Sequence, residues 1–157
     1  MSFVFPRNAR AYFRSVAEAR PGAPRFDSMF DEYYLCLMIG LDARRVTGEE
    51  DMEDDKFYDS YPKEFQGQAD IIAGLLIDAE LDRQGISADD RASIEREMVR
   101  LLDHRSPVNL SADGIRLLNQ YAAAGFKMIR DRVIAPHSLE DFLIAYHDLW
   151  VTESVEV

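Results

Sequence analysis

Apolar residues in this chain recur at steps of three and four, the spacing that lines up one face of a helix. The strongest stripe is Phe30, Tyr33, Tyr34, Leu37, Met38 and Leu41. It predicts a helix capped by Asp27 or Ser28 and running to about Asp42, at the centre of the core. A shorter helix is expected over residues 8–19, with Tyr12, Phe13 and Val16 inward, stopped by Arg20-Pro-Gly-Ala-Pro24. A third runs from about Gln68 to Gln84 and ends at Gly85, burying Ile72, Leu75, Leu76 and Ala79. A fourth starts at Ser87, presents Ile94, Met98, Leu101 and Leu102, and ends before Pro107. Ser111 caps a fifth, reaching about Arg132, whose inner face carries Leu118, Tyr121, Ala122, Gly125 and Ile129. Its run Ala122-Ala-Ala-Gly125 leaves room for another backbone. Ser138-Leu-Glu-Asp141 reads as a capping box for a last helix through Phe142, Leu143, Tyr146, Leu149 and Trp150.

Two segments break the pattern. Residues 1–7 read as an irregular arm. Residues 43–64 read as a long loop containing Glu49, Glu50, Asp51, Glu53, Asp54 and Asp55, six carboxylates in seven positions. Such a run repels itself and resists compact structure. Phe57, Tyr58, Tyr61 and Phe65 follow and are expected to pin the loop to the domain. The sum is an all-α single domain, a bundle of five to six helices with a long acidic loop and a frayed tail at 151–157. A small sheet near residues 1–5 or 57–65 stays open.

With 157 residues, 47% of them hydrophobic, the chain can bury a core without staples. Its net charge of −11 disfavours non-specific nucleic-acid binding and adhesion to anionic membranes, and favours a basic partner. Cys36 is the sole cysteine, so an intramolecular disulfide and a multi-cysteine metal cluster are excluded. With no apolar leader at the N-terminus, the expected location is the cytoplasm.

Chemical motifs fail one by one. The acidic run has no internal glycine, which rejects an EF-hand. All-α nucleotide pyrophosphohydrolases hold Mg²⁺ with Glu-x-x-Glu and Glu-x-x-Asp motifs on facing helices. Glu50 and Glu53 meet the first spacing, whereas Glu80 and Asp82 stand two apart and miss the second. Di-iron bundles need Glu-x-x-His, but Leu101, Ile134 and Ile144 precede His104, His137 and His147 by three. His147-Asp148 lacks the further ligands of a phosphohydrolase site. Cys36 lies in the apolar helix and is expected to be inert. No phosphate loop or Gly-x-Ser-x-Gly occurs. No catalytic residue, metal ligand or cofactor is therefore assigned.

Three segments together carry a resemblance: Phe30-Asp-Glu-Tyr-Tyr-Leu-Cys-Leu-Met-Ile-Gly-Leu41 with Arg44-Arg45, Ala73-Gly-Leu-Leu-Ile-Asp-Ala-Glu80, and Leu118-Asn-Gln-Tyr-Ala-Ala-Ala-Gly-Phe126. Over residues 26–150 the chain resembles small proteins encoded beside bacterial DNA phosphorothioation (Dnd-type) and related anti-phage systems. The resemblance implies an accessory or assembly subunit beside a larger ATPase or nuclease component. The expected partner-binding surface is Glu49, Glu50, Asp51, Glu53, Asp54 and Asp55 with Phe57, Tyr58 and Tyr61, docking on a basic face. Two other readings remain: a Mg²⁺-dependent nucleotide or phosphate-ester hydrolase using Glu50, Glu53, Glu80 or Asp82, and an acidic DNA mimic with anti-restriction activity.

Overall fold

A computed structural model describes residues 2–155, and within them the chain is mostly helical with one small antiparallel sheet. The order is β1 (Phe3–Pro6), α1 (Ala9–Tyr12), α2 (Arg14–Ala17), α3 (Met29–Ala43), β2 (Met52–Tyr58), α4 (Ala69–Arg83), α5 (Arg91–Leu101), α6 (Ala112–Arg132) and α7 (Leu139–Val155). Short 3-10 turns, Glu49–Asp51 and Lys63–Gln68, precede β2 and α4.

The centre is the crossing of α3 and α6. Ser28 starts α3, its N–H donating to the Asp31 carboxylate at 3.0 Å. Ser111 starts α6, accepting from the Gly114 N–H at 3.1 Å. Phe30, Tyr33, Leu37 and Leu41 of α3 and Leu118, Tyr121, Ala122 and Ile129 of α6 are buried, as their spacing predicts. Two glycines let the axes close up. A Cβ on Gly125 would collide with the Cys36 carbonyl, and one on Gly40 with the Tyr121 carbonyl. The small run in α6 therefore does admit a neighbouring backbone.

The other elements wrap this pair. Tyr146 of α7 donates to the Leu35 carbonyl at 2.8 Å, and Tyr12 of α1 donates to the Val133 carbonyl at 2.9 Å. Phe13 lies edge-on to Phe142 with ring centres 5.1 Å apart, joining the amino-terminal turns to α7.

Several boundaries differ from expectation. The arm at 1–7 contains β1, and the expected loop at 43–64 contains β2. They pair Phe3 with Tyr58, Val4 with Lys56 and Pro6 with Met52, with irregular register between. The single helix expected over 8–19 breaks at Phe13 into two one-turn pieces, though Tyr12, Phe13 and Val16 face inward as predicted. Asp90, not Ser87, caps α5, accepting from the Ser93 N–H at 3.1 Å; Ser87 starts a preceding turn. Leu75 and Met98, expected in the core, are exposed. Helix α7 continues through residues 151–155 of the expected tail; residues 156 and 157 lie outside the described part.

The outer edge of β1 is closed by a side chain. The buried Asn119 of α6 accepts at Oδ1 from the Val4 N–H (3.2 Å) and the Tyr33 hydroxyl (2.7 Å). Its Nδ2 donates to the Ser2 carbonyl at 3.1 Å. One carboxamide thus stands in for a third strand.

Candidate functional site

The acidic segment is held by arginines reaching across from the amino-terminal turns. Arg7 donates its backbone N–H to the Asp51 carbonyl (2.9 Å), Nε to the Glu50 carbonyl (2.9 Å) and Nη2 to the Met52 carbonyl (2.6 Å). Arg10 donates through Nε to both Glu53 oxygens, at 2.5 and 2.9 Å. Asp51 pairs with Lys127 at 3.2 Å, and Asp54 with Arg7 at 3.5 Å. Glu49 lies 4.0 Å from Arg116, while Glu50 and Asp55 have no basic partner among the described residues. Cations drawn from β1's end, α1 and α6 offset the self-repulsion that argued for a loop. Pairs this exposed contribute at most about 1 kcal/mol each.

The aromatics behind the segment turn inward. Tyr61 is only 3% exposed, its ring 5.0 Å from Phe3 and 5.7 Å from Phe30. Phe57 is half-buried between Phe5 (5.1 Å) and Tyr33 (5.4 Å), and Tyr58 lies edge-on to Phe30 at 5.9 Å. They anchor β2 to α3, as the anchoring expectation has it. Tyr61 cannot belong to a partner-binding face, because the core already covers it. Its hydroxyl is buried with no hydrogen-bond partner, and that burial raises its pKa.

What the segment does offer outward is a cleft of about 540 Å³ between the hairpin and the start of α6. Glu49, Glu53, Asp54 and Asp55 line it, opposite Arg116 and beside Lys56. Val4, Met52 and Ile115 add apolar surface. The arrangement suits a cationic side chain with an aliphatic stem, which can satisfy carboxylates and apolar wall together.

The carboxylates of α4 have other work. Glu80 is 1% exposed and accepts from Arg83 (Nη2 2.5 Å, Nε 3.0 Å), Gln84 (3.0 Å) and the Tyr121 hydroxyl (2.7 Å). Arg100 lies 3.7 Å away and also holds Glu97 at 2.8 Å. Burial pushes the Glu80 carboxyl up, but these hydrogen bonds outweigh it and hold it below the ordinary value. The cluster ties α4, α5 and α6 together. Asp78 and Asp82 are both taken by Arg44, at 2.9 and 3.0 Å. Arg44 closes α3 with φ 53°, a left-handed position that usually goes to glycine, and these bonds help to hold it there.

Of the residues weighed as Mg²⁺ ligands, Glu53, Glu80 and Asp82 are each committed to a different arginine, and Glu50 stands apart. Among the described residues no group of three or more His, Cys, Asp or Glu side chains is placed to hold a metal ion. Cys36 is buried, and its thiol is pushed far up, chiefly by that burial. His147 pairs with Asp148 at 3.8 Å in the open. Among the described residues, no helix is long and apolar enough to cross a membrane.

Sequence reasoning missed Asn119, the Glu80 cluster and Glu32, a buried carboxylate in the first turn of α3. Two of these carried a signal. Glu80 continues the stripe Ile72, Leu76 at a step of four, and Glu32 precedes Cys36 and Gly40 at the same step, so each charge falls on a buried face. Compared with protein-family models, curated proteins and solved structures, the chain finds no match.

Proposed function

We propose that this chain is a non-enzymatic accessory or assembly subunit of a bacterial anti-phage defence complex linked to DNA modification or restriction. It acts through protein contacts, and the cleft beside the hairpin receives a basic segment of a larger ATPase or nuclease component. The observation that carries this reading is the cleft itself: four carboxylates, three on β2 and Glu49 in the turn before it, beside apolar surface from Val4, Met52 and Ile115. A strand held by Arg7 and backed by packed rings presents its charges in a fixed array. Little ordering entropy is then lost when a partner docks. The net charge of −11 steers a basic surface toward the chain from a distance. The defence setting rests on the resemblance of the segments around Phe30–Leu41, Ala73–Glu80 and Leu118–Phe126.

The test is co-purification from the native host with the partner identified by mass spectrometry. The wild-type chain should bring down an ATPase or nuclease component in low salt and release it in high salt. The double variant D54K/D55K should lose it at least tenfold, the change expected from about 1.4 kcal/mol of binding energy. Recovery of the chain alone, or equal recovery by the variant, would remove the proposal.

A further inference from the structure

Besides Tyr61, a second largely buried polar side chain has no hydrogen-bond partner among the described residues. Glu32 is 4% exposed, and no hydrogen bond or ion pair reaches it among the described residues. Its carboxylate oxygens, unlike the Tyr61 hydroxyl, are not sealed in the core, so the head group opens outward. Glu32 lines a cleft of about 320 Å³ where the chain enters α3. Phe26, Met29 and Ala17 give that cleft apolar walls, and Arg25, Asp27 and Ser28 complete it.

Each charged or titratable neighbour is accounted for. Arg10 of α1 acts on Glu32 through its charge, but its guanidinium is bound to Glu53, touches the Met29 sulfur at 3.3 Å and lies over the Phe5 ring at 5.3 Å. Asp31 is occupied by the Ser28 N–H. Cys36, one turn along α3, is a neutral buried thiol. Arg25 and Asp27 are exposed. Glu32 is thus an unmatched acceptor at the wall of a cavity of ligand size.

We propose that this cleft is a binding site for a small organic cation, a primary alkylammonium whose head pairs with Glu32 and whose stem lies against Phe26 and Met29. A divalent metal is the poorer occupant, since among the described residues no group of three or more His, Cys, Asp or Glu side chains is placed to hold one. An ammonium on a short stem needs one carboxylate and an apolar wall, with a hydroxyl to share the remaining donors.

The proposal makes binding depend on pH in a defined way. Burial, opposed by Arg10 and reinforced by Asp31, raises the Glu32 carboxyl from 4.5 to about 7. Its ionised fraction then falls about tenfold between pH 8 and pH 6, while a primary amine stays protonated throughout. The experiment is an NMR titration of the full chain with n-butylammonium chloride at both pH values, with sodium chloride at equal ionic strength as reference. Saturable shifts at residues 17, 25–29 and 32 are expected, with affinity about tenfold weaker at pH 6. The E32Q variant should lose binding, and E95Q, on the exposed face of α5, should bind as wild type. The proposal falls if affinity is equal at the two pH values, if E32Q binds undiminished, or if no saturable shift appears. Should E32Q fail to fold, the wild-type ratio between pH 8 and pH 6 decides by itself.

Discussion

Glu32 and Glu80 are both glutamates on inward helix faces, and the fold treats them in opposite ways. Glu80 is surrounded by donors and held ionised below its ordinary range, so its contribution is present near neutrality and is lost as pH falls through the acid range. Glu32 has a folded pKa of about 7, above its ordinary 4.5. The folded state therefore binds its proton more tightly than the unfolded chain does, and stability declines as pH rises from about 4.5 to about 7. Removing the charge should act accordingly. E80Q should cost about 2 kcal/mol at pH 7, because it weakens the charge-assisted hydrogen bonds from Arg83 and Tyr121 and buries an amide N–H₂ among donors. E32Q should gain on the order of 2 kcal/mol at pH 8 and almost nothing at pH 4, both measured by urea unfolding. A loss on E32Q at pH 8 would mean that the carboxylate has a partner in the fold. The buried Tyr61 hydroxyl makes a similar prediction. Y61F should leave stability unchanged or raise it by about 1 kcal/mol in the same assay, since no hydrogen bond is lost.

At Gly40 and Gly125 helices α3 and α6 meet through backbone, and this makes their crossing intolerant. Since a Cβ on Gly125 would overlap the Cys36 carbonyl, neither helix can admit it without moving apart. G125A should therefore cost about 3 kcal/mol or more by thermal or urea unfolding, although alanine is the better helix former. A gain in stability would show that the helices are not in contact there. This crossing was legible in the sequence, because helical stripes and small-residue runs are local patterns. The hairpin was not. Residues 52–58 carry four charges in a stretch whose composition argues against a strand. Their partner lies some fifty positions earlier, and Arg7 and Arg10, which offset the repulsion, belong to that distant segment. The start of α5 was misread because Ser87 and Asp90 are both good caps and only the turn between them decides. Around the candidate site, the carboxylates were visible as a run; the cleft they line was not, since its far wall is α6. The inward direction of Tyr61 also depends on Phe3, in a strand that periodicity could not place.

Taken together, the chain is a folded body of strongly uneven charge, with 29 acidic against 18 basic residues. Mutual repulsion of that excess weakens the compact state at low ionic strength, whereas the exposed ion pairs contribute little. Raising sodium chloride should therefore raise the melting temperature, and a fall would show that the ion pairs outweigh the repulsion. Arg10, Arg44, Arg83 and Arg100 are already spent on the chain's own acids, at Glu53, Glu80, Glu97, Asp78 and Asp82. Within the acidic segment, Glu50 and Asp55 are left without a basic partner among the described residues. Asn119 gives that arrangement an unexpected point of failure. By gripping Ser2 and Val4 it sets the position of β1, and β1 in turn sets the height of the acidic strand paired to it. An inherited change at this nearly buried carboxamide, on the floor of the cleft, would mimic a lesion in the proposed docking face. Genetic screens for lost association should thus find a hit in the middle of α6, at a side chain only 4% exposed.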